Sequence, residues 1–316
     1  MRIRPIHADE IDLFVEAGST GHNEEVKQYV EGMFAAGAMR PGWCFVIEEE
    51  GRPLGRVALW ALPGADRPLA LVLLDVPWEE EDLTVSVPLL RDVLDRARAL
   101  GTEEIEHVLD SPPMYPQFQS HQERRSELLD VIGFALKRET IRFEWRGKKT
   151  PAVSGRLDFR ALDEVGDEAF ADAMARVSEG TLDRQIQDER ERLGSGQAAR
   201  VFFEDARRVK HEPSWWQLAY TPDGDLVGLV MPVEPPAFLT IFYVGVVPAM
   251  RGRGYVDDLL AAGTATLLAA GSGAGGRPLL ADTDIANAPM AAAFRRAGWE
   301  EFARRREYGL DLAGDS

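Results

Sequence analysis

The residues whose types and spacing point to chemistry begin with the apolar stretch Val244-Gly245-Val246-Val247-Pro248. It passes through the turn Ala249-Met250-Arg251-Gly252-Arg253-Gly254 into Tyr255 and Val256. Val256, Leu259, Leu260, Gly263 and Leu267 recur at helical spacing, so the turn leads from a strand into a helix that Gly271 is placed to end. Glycines let a backbone come close to a ligand, and the first amides of a helix have no partner inside it. An anion there meets several N–H donors and the positive end of the helix dipole. Arg251 and Arg253 add charge. The stretch reads as a place to hold a phosphate, although the same residues also suit an ordinary strand-to-helix turn.

Further along, Leu279-Leu280-Ala281 predicts a short buried strand. Asp282-Thr283-Asp284-Ile285-Ala286-Asn287-Ala288-Pro289-Met290 follows, with a helix closing on Phe294-Arg295-Arg296-Ala297-Gly298-Trp299. With both stretches in this order, the chain resembles the GNAT superfamily of acyl-CoA-dependent N-acyltransferases. The family's first motif is matched at Val246, Pro248, Arg251 and Gly254, and its second at Asn287, Phe294, Gly298 and Trp299. Val256 departs from it, standing where the family usually has a third small residue.

The resemblance implies acetyl-CoA as acyl donor and a small amine as acceptor. It implies that the strand backbone at Val244, Gly245 and Val246 pairs with the pantetheine arm and that Arg251, Gly252, Arg253, Gly254, Tyr255 and Val256 wrap the pyrophosphate. Asn287 is expected on the pantetheine arm or its water, with Phe294 beside the cofactor. Thr240 stands where many members carry a Glu base, and Phe294 where many carry a Tyr acid for the leaving thiolate. Neither titrates near neutral pH. The remaining base candidates are Glu234, in the loop before the cofactor strand, and Asp282 and Asp284 beside the second motif, acting through water. Each has an ordinary alternative, Glu234 as a solvated loop charge and the aspartates as caps of the helix that Pro289 helps begin.

The elements that must position these residues occur twice. Ile3-Arg4-Pro5 opens the first half as Leu157-Asp158-Phe159-Arg160 opens the second, and Glu50-Gly51 marks a hairpin as Asp223-Gly224 does. Ile132-Gly133-Phe134 precedes Ile141–Trp145 as Ala297-Gly298-Trp299 precedes Tyr308–Leu312, about 165 positions later. The expected fold is therefore α/β (α+β), two tandem GNAT-like domains, each a mixed central sheet flanked by helices. Residues 1–148 form a degenerate copy, 149–156 a linker and 157–316 the acyl-CoA-binding copy. Such a two-half architecture also resembles that of the mycothiol synthases, in architecture only. In the first copy Glu79-Glu80-Glu81-Asp82 replaces the phosphate turn and should repel an anion, or else begins a solvated helix. A proline-rich loop from Pro112 to Gln122 has no readable purpose.

Composition narrows the class. Of 316 residues 45% are hydrophobic and 28% charged, as in a globular protein. No apolar run approaches the roughly 18 residues that span a bilayer, and no basic-flanked leader opens the chain, so neither membrane nor secretion is expected and a cytoplasmic setting is. The net charge of −17 is shared by both halves and argues against nucleic acid as a partner. It suits a cationic acceptor by steering, or solubility alone. The single Cys44 reads as a buried small side chain, and the five histidines lack metal-ligand spacing, so no metal is expected. Trp215, Trp216, Phe242 and Tyr243 on predicted neighbouring strands point to an acceptor pocket, although alternation sends Trp215 and Trp216 to opposite faces and so puts one of that pair in the core. Ser178–Asp183, between predicted helices, suits the wall of that pocket or equally a helix-initiating loop. Missing titratable groups beside intact cofactor residues also fit a non-catalytic acyl-CoA-binding regulator or scaffold.

Overall fold

The computed structural model describes residues 2–19, 21–78, 86–147, 149–235, 238–271 and 277–313. Contacts divide the chain into two compact units, Met1–Glu139 with Arg304–Ser316, and Thr140–Ala303.

The first unit contains β1 (Arg2–Pro5), α1 (Ile11–Glu16), α2 (Asn23–Ala35), β2 (Cys44–Glu49), β3 (Arg52–Trp60), β4 (Ala70–Asp75), α3 (Ser86–Ala99), β5 (Glu104–Ser111), α4 (Gln122–Ile132) and the start of β6 (Ala135–Trp145). Strand alternation builds its two faces. Cys44 and Val46 of β2 pack with Phe14 of α1 and Val26 and Val30 of α2. Phe45 and Ile47 belong to the opposite core, with Leu90, Val93 and Leu94 of α3 and Leu128 and Leu129 of α4.

The second unit takes Thr140–Trp145 of β6. It continues with β7 (Asp158–Ala161), α5 (Leu162–Val165), α6 (Asp167–Val177), α7 (Arg184–Leu193), α8 (Ser195–Arg207), β8 (Gln217–Tyr220), β9 (Leu226–Val233), β10 (Leu239–Val246), α9 (Tyr255–Ala269), β11 (Leu279–Asp284), α10 (Ala288–Arg296) and the start of β12 (Trp299–Asp311). Its strand order is β6-β11-β10-β9-β8-β7. One core joins β10 and β11 to Leu259, Leu260 and Leu267 of α9 and Phe294 of α10. The other joins Leu229, Met231 and Val233 of β9 to Phe170 and Met174 of α6 and Phe203 of α8. Each unit is thus a mixed sheet with helices on both faces.

The units are not the contiguous halves of the sequence. Arg304–Asp311 of β12 pair antiparallel with β5 in the first unit, and Thr140–Glu144 of β6 pair with β11 in the second. Each sheet is therefore extended by a strand from the other half. Repeated spacing does not reveal which copy a terminal strand joins, because both copies offer the same edge. Trp215 also differs from expectation: it sits in the 3-10 turn Pro213–Trp215 and not on a strand, where Pro213 supplies the fixed φ that begins the turn. Trp216 is fully buried and donates to the Pro232 carbonyl at 3.0 Å. The run Glu79–Asp82 lies outside the described residues.

Candidate active site

The site begins where two parallel strands part. β10 and β11 pair only at Leu239↔Leu279 and Thr240↔Leu280, whereas β10 stays paired with β9 as far as Val246↔Gly228. A register shift between Ile241 and Tyr243 turns β10 away at the parting point. Beyond it, Val247 N–H points to β9, donating to the Val227 carbonyl at 2.9 Å. Alternation then turns the amides of Val246 and Val244 to the opposite edge, which no strand covers among the described residues. Gly245 permits this edge to sit under α6, since a Cβ there would stand 2.3 Å from Val177 Cγ1.

At the wide end of the split the chain turns into α9. Gly252 and Gly254 have φ of 76° and 73°, the left-handed region that glycine enters at least cost. Among the described residues, no hydrogen bond engages the backbone N–H groups of Gly252, Arg253, Gly254, Tyr255 or Val256. These are the donors that the sequence assigned to an anion.

The arginines behave differently from one another. Arg251 was expected to bring charge to the anion, yet its guanidinium donates to the carbonyls of Val246 (3.0 Å), Val177 (2.9 Å), Glu179 (2.6 Å) and Gly180 (3.1 Å). It fastens the loop after α6 to the end of β10, leaving its backbone at the turn. Arg253 is exposed and donates to the Ala249 carbonyl. A third arginine, Arg156, escaped the sequence reading because it follows residues of linker composition. Its Nη2 donates to the Gly254 carbonyl at 2.7 Å and its Nη1 to that of Arg253 at 3.3 Å, while Nε meets the buried Asp258 carboxylate at 2.5 Å. Ser154 N–H also donates to Asp258. Burial alone would raise the Asp258 carboxyl, but the bonds from Ser154 and Arg156 prevail and hold it below its ordinary value.

The proposed acid–base groups are all engaged elsewhere. Glu234 accepts from Lys210 Nζ at 2.8 Å and from Arg277, and those cations hold its carboxyl below the usual range. It follows Val233, which pairs with Thr240 at the closed end of the split, about 20 Å along the strand from Val246. Glu234 is therefore neither a free loop charge nor near the open edge. Asp282 lies opposite Arg142 in the β6–β11 ladder, with Oδ1 3.3 Å from Arg142 Nε. Asp284 is buried and accepts from the amides of Ala286 (2.8 Å) and Arg184 (3.3 Å), tying the start of α7 to the end of β11. Asn287 caps α10, its Oδ1 accepting from Met290 N–H at 3.3 Å. Phe294 differs most from expectation. It is buried in the core, stacked on Phe143 at 5.2 Å and edge-on to Trp299 at 5.5 Å, because the apolar stripe of α10 turns it under the sheet.

On the α6–α8 face a pocket is lined by Met174, Ser178, Arg190, Ala199, Phe202 and Tyr243, among others. Arg190 shapes its wall by donating to Ser178 Oγ at 2.6 Å and the Ala175 carbonyl at 2.9 Å. Burial lifts the Tyr243 phenol well above its ordinary value, and Asp183 pushes the same way. Tyr243 and Ser178 thus line one pocket with Phe202, whose ring lies tilted 5.2 Å from that of Tyr243 and 5.3 Å from that of Phe242. Of the Trp215–Trp216 pair, Trp216 is the core member. Among the described residues no group of His, Cys, Asp or Glu is arranged to hold a metal ion.

The first unit repeats the split and fills it. β4 and β5 pair in register only at Ala70↔Glu106. Beyond that point His107 Nδ1 bonds the Leu71 carbonyl (2.9 Å), Gln117 Oε1 accepts from Leu73 N–H (3.0 Å), and Arg125 donates to the Leu74 carbonyl. On β5, Gln119 accepts from Asp110 N–H (3.0 Å) and donates to the Val108 carbonyl (2.7 Å), and Gln122 donates to the Asp110 carbonyl (2.8 Å). The loop whose purpose the sequence hid satisfies the parted edges with its own carboxamides.

No family model and no curated protein matches this sequence. Solved structures do. A GCN5-related N-acetyltransferase from Sphaerobacter thermophilus aligns over 98% of this chain and 95% of its own, at 15% identity and a TM-score of 0.58. A GCN5-related glucosamine N-acetyltransferase region of a fungal multi-domain GH3 β-N-acetylglucosaminidase aligns over 98% of this chain and 38% of its own, at 12% identity and a TM-score of 0.52. A tandem GNAT protein from the clavulanic acid biosynthesis pathway aligns over 100% of this chain and 99% of its own, at 16% identity and a TM-score of 0.49. At these identities the likeness to the first two is one of fold alone, and the chain has a GNAT fold.

Proposed function

We propose that the second unit binds acetyl-CoA and transfers its acetyl group to a small amine. One observation carries the reading: an unpaired strand edge at Val244 and Val246 leads directly to the unengaged amides of Gly252–Val256 at the start of a helix. A strand edge suits the amides of a pantetheine arm, and the helix start suits a pyrophosphate. In the reaction the amine nitrogen attacks the thioester carbonyl, the C–S bond breaks, the amine loses a proton and the thiolate gains one. Asp282, Asp284 and Glu234 are all held by partners, so the proton passes to water and the protein contributes mainly by holding the reactants together. The Tyr243 pocket receives the acceptor. No helix among the described residues is long and apolar enough to cross a membrane, and the reading places the chain in the cytoplasm.

A second reading, a non-catalytic acyl-CoA-binding protein, is favoured by the same engaged carboxylates and the buried Phe294. Thiol release from acetyl-CoA over a panel of small amines separates the two. Amine-dependent release supports transfer, whereas CoA binding without release supports the regulator.

A further inference from the structure

Arg156 grips the far side of the turn that carries the unengaged amides. A peptide unit is planar, and its carbonyl points opposite to the N–H of the next residue. Holding the Arg253 carbonyl therefore fixes the Gly254 N–H, and holding the Gly254 carbonyl fixes the Tyr255 N–H. The guanidinium makes both contacts, at 3.3 and 2.7 Å, and is itself held by the Asp258 carboxylate at 2.5 Å. Its planar fork also stands over the Tyr255 ring, 4.8 Å from the centroid. The Gly254 carbonyl also accepts from the Asp257 N–H at 3.2 Å, so the peptide that depends most on the grip is the one joining Arg253 to Gly254, where the chain enters the left-handed region.

We infer that Arg156 is a positioning residue that sets the Gly254 and Tyr255 amides, and adds positive charge behind them, for the pyrophosphate of an acyl-CoA. The inference rests on the proposed reading of the α9 turn. A charge-assisted donor on a carbonyl also polarises the N–H at the other end of the same peptide, so the grip strengthens the donors as well as aiming them. Lysine carries its three donors on one nitrogen and cannot span two carbonyls and a carboxylate as a planar guanidinium does.

The test uses the full chain with two acetyl donors: acetyl-CoA, and S-acetylpantetheine, which has the thioester arm but no pyrophosphate. Arg156→Gln should weaken CoA binding by calorimetry by about tenfold to a hundredfold. It should leave the S-acetylpantetheine affinity close to wild type, while the melting temperature falls because the buried Asp258 carboxylate loses its cation, and Arg156→Lys should restore little of the lost CoA affinity. Equal CoA affinity in wild type and Arg156→Gln would overturn the inference while leaving the turn as the CoA site. Equal losses for both donors would also overturn it, since that is the signature of a general packing role. A wild-type chain that binds neither donor would remove the reading of the turn itself, and the role of Arg156 with it.

Discussion

At the scale of single residues, the turn at Gly254 and the core around Phe294 make opposite demands. Gly254 has φ of 73°, and a Cβ there would find its nearest neighbour, Arg156 Nη2, at 3.7 Å. Substitution is thus limited by backbone conformation and by charge rather than by space. Gly254→Glu should abolish CoA binding by forcing a side chain into the left-handed turn and setting a carboxylate beside Arg156, while destabilising the fold by about 1–2 kcal/mol. Calorimetry beside a thermal melt checks both halves, and retained CoA affinity would contradict the site. Phe294→Tyr should not restore a proton donor. It buries a hydroxyl among Phe143 and Trp299 at a cost of about 1–3 kcal/mol, read as a lower melting temperature without a gain in turnover. Glu234→Gln should leave the pH profile of kcat/KM unchanged, because the carboxylate is tied to Lys210 and Arg277 at the closed end of the split. A changed profile would return Glu234 to the role of base.

At the scale of elements, the phosphate turn was legible because glycine and helical spacing are local properties. The parting of β10 from β11 was not, since it depends on which strand is absent from an edge. The Pro112–Gln122 loop was opaque for the same reason: Gln117 and Gln119 are ordinary polar residues until β4 and β5 separate and leave unpaired amides beside them. Arg251 was hard to place because its partners are backbone carbonyls, which any residue type supplies, and Arg156 because it follows residues of linker composition and meets Asp258 about a hundred positions later. Two outcomes test the filled split. Gln119→Ala leaves the Asp110 N–H without its acceptor and should destabilise the protein by about 1–3 kcal/mol. It should not create CoA binding in the first unit. His107 supplies a pH signature. Burial lowers its pKa from 6.5 to about 4 and Arg125 pushes the same way, against the raising effect of the Leu71 carbonyl. A depressed histidine pKa means that the unfolded chain binds the proton first. Stability is therefore full above pH 6.5, falls as pH drops toward 4, and levels off below, a loss of about 3 kcal/mol. Melts at pH 7 and pH 4.5 should show a smaller drop for His107→Gln than for wild type, and equal drops would contradict the assignment.

At the scale of the whole molecule, the chain has one fold repeated and two different uses of the same split. In the first unit side chains of the protein satisfy the parted strands. In the second an open edge meets a glycine turn, an arginine behind it and unengaged amides. The net charge of −17 makes the turn a local exception, which fits an anion bound by backbone donors rather than by a broad basic surface. The measurement that bears most directly on this account is a calorimetric titration of the intact chain with CoA, alongside Gly254→Glu. One CoA per chain is expected, lost in the variant. Two sites per chain, or a single site untouched by Gly254→Glu, would contradict it.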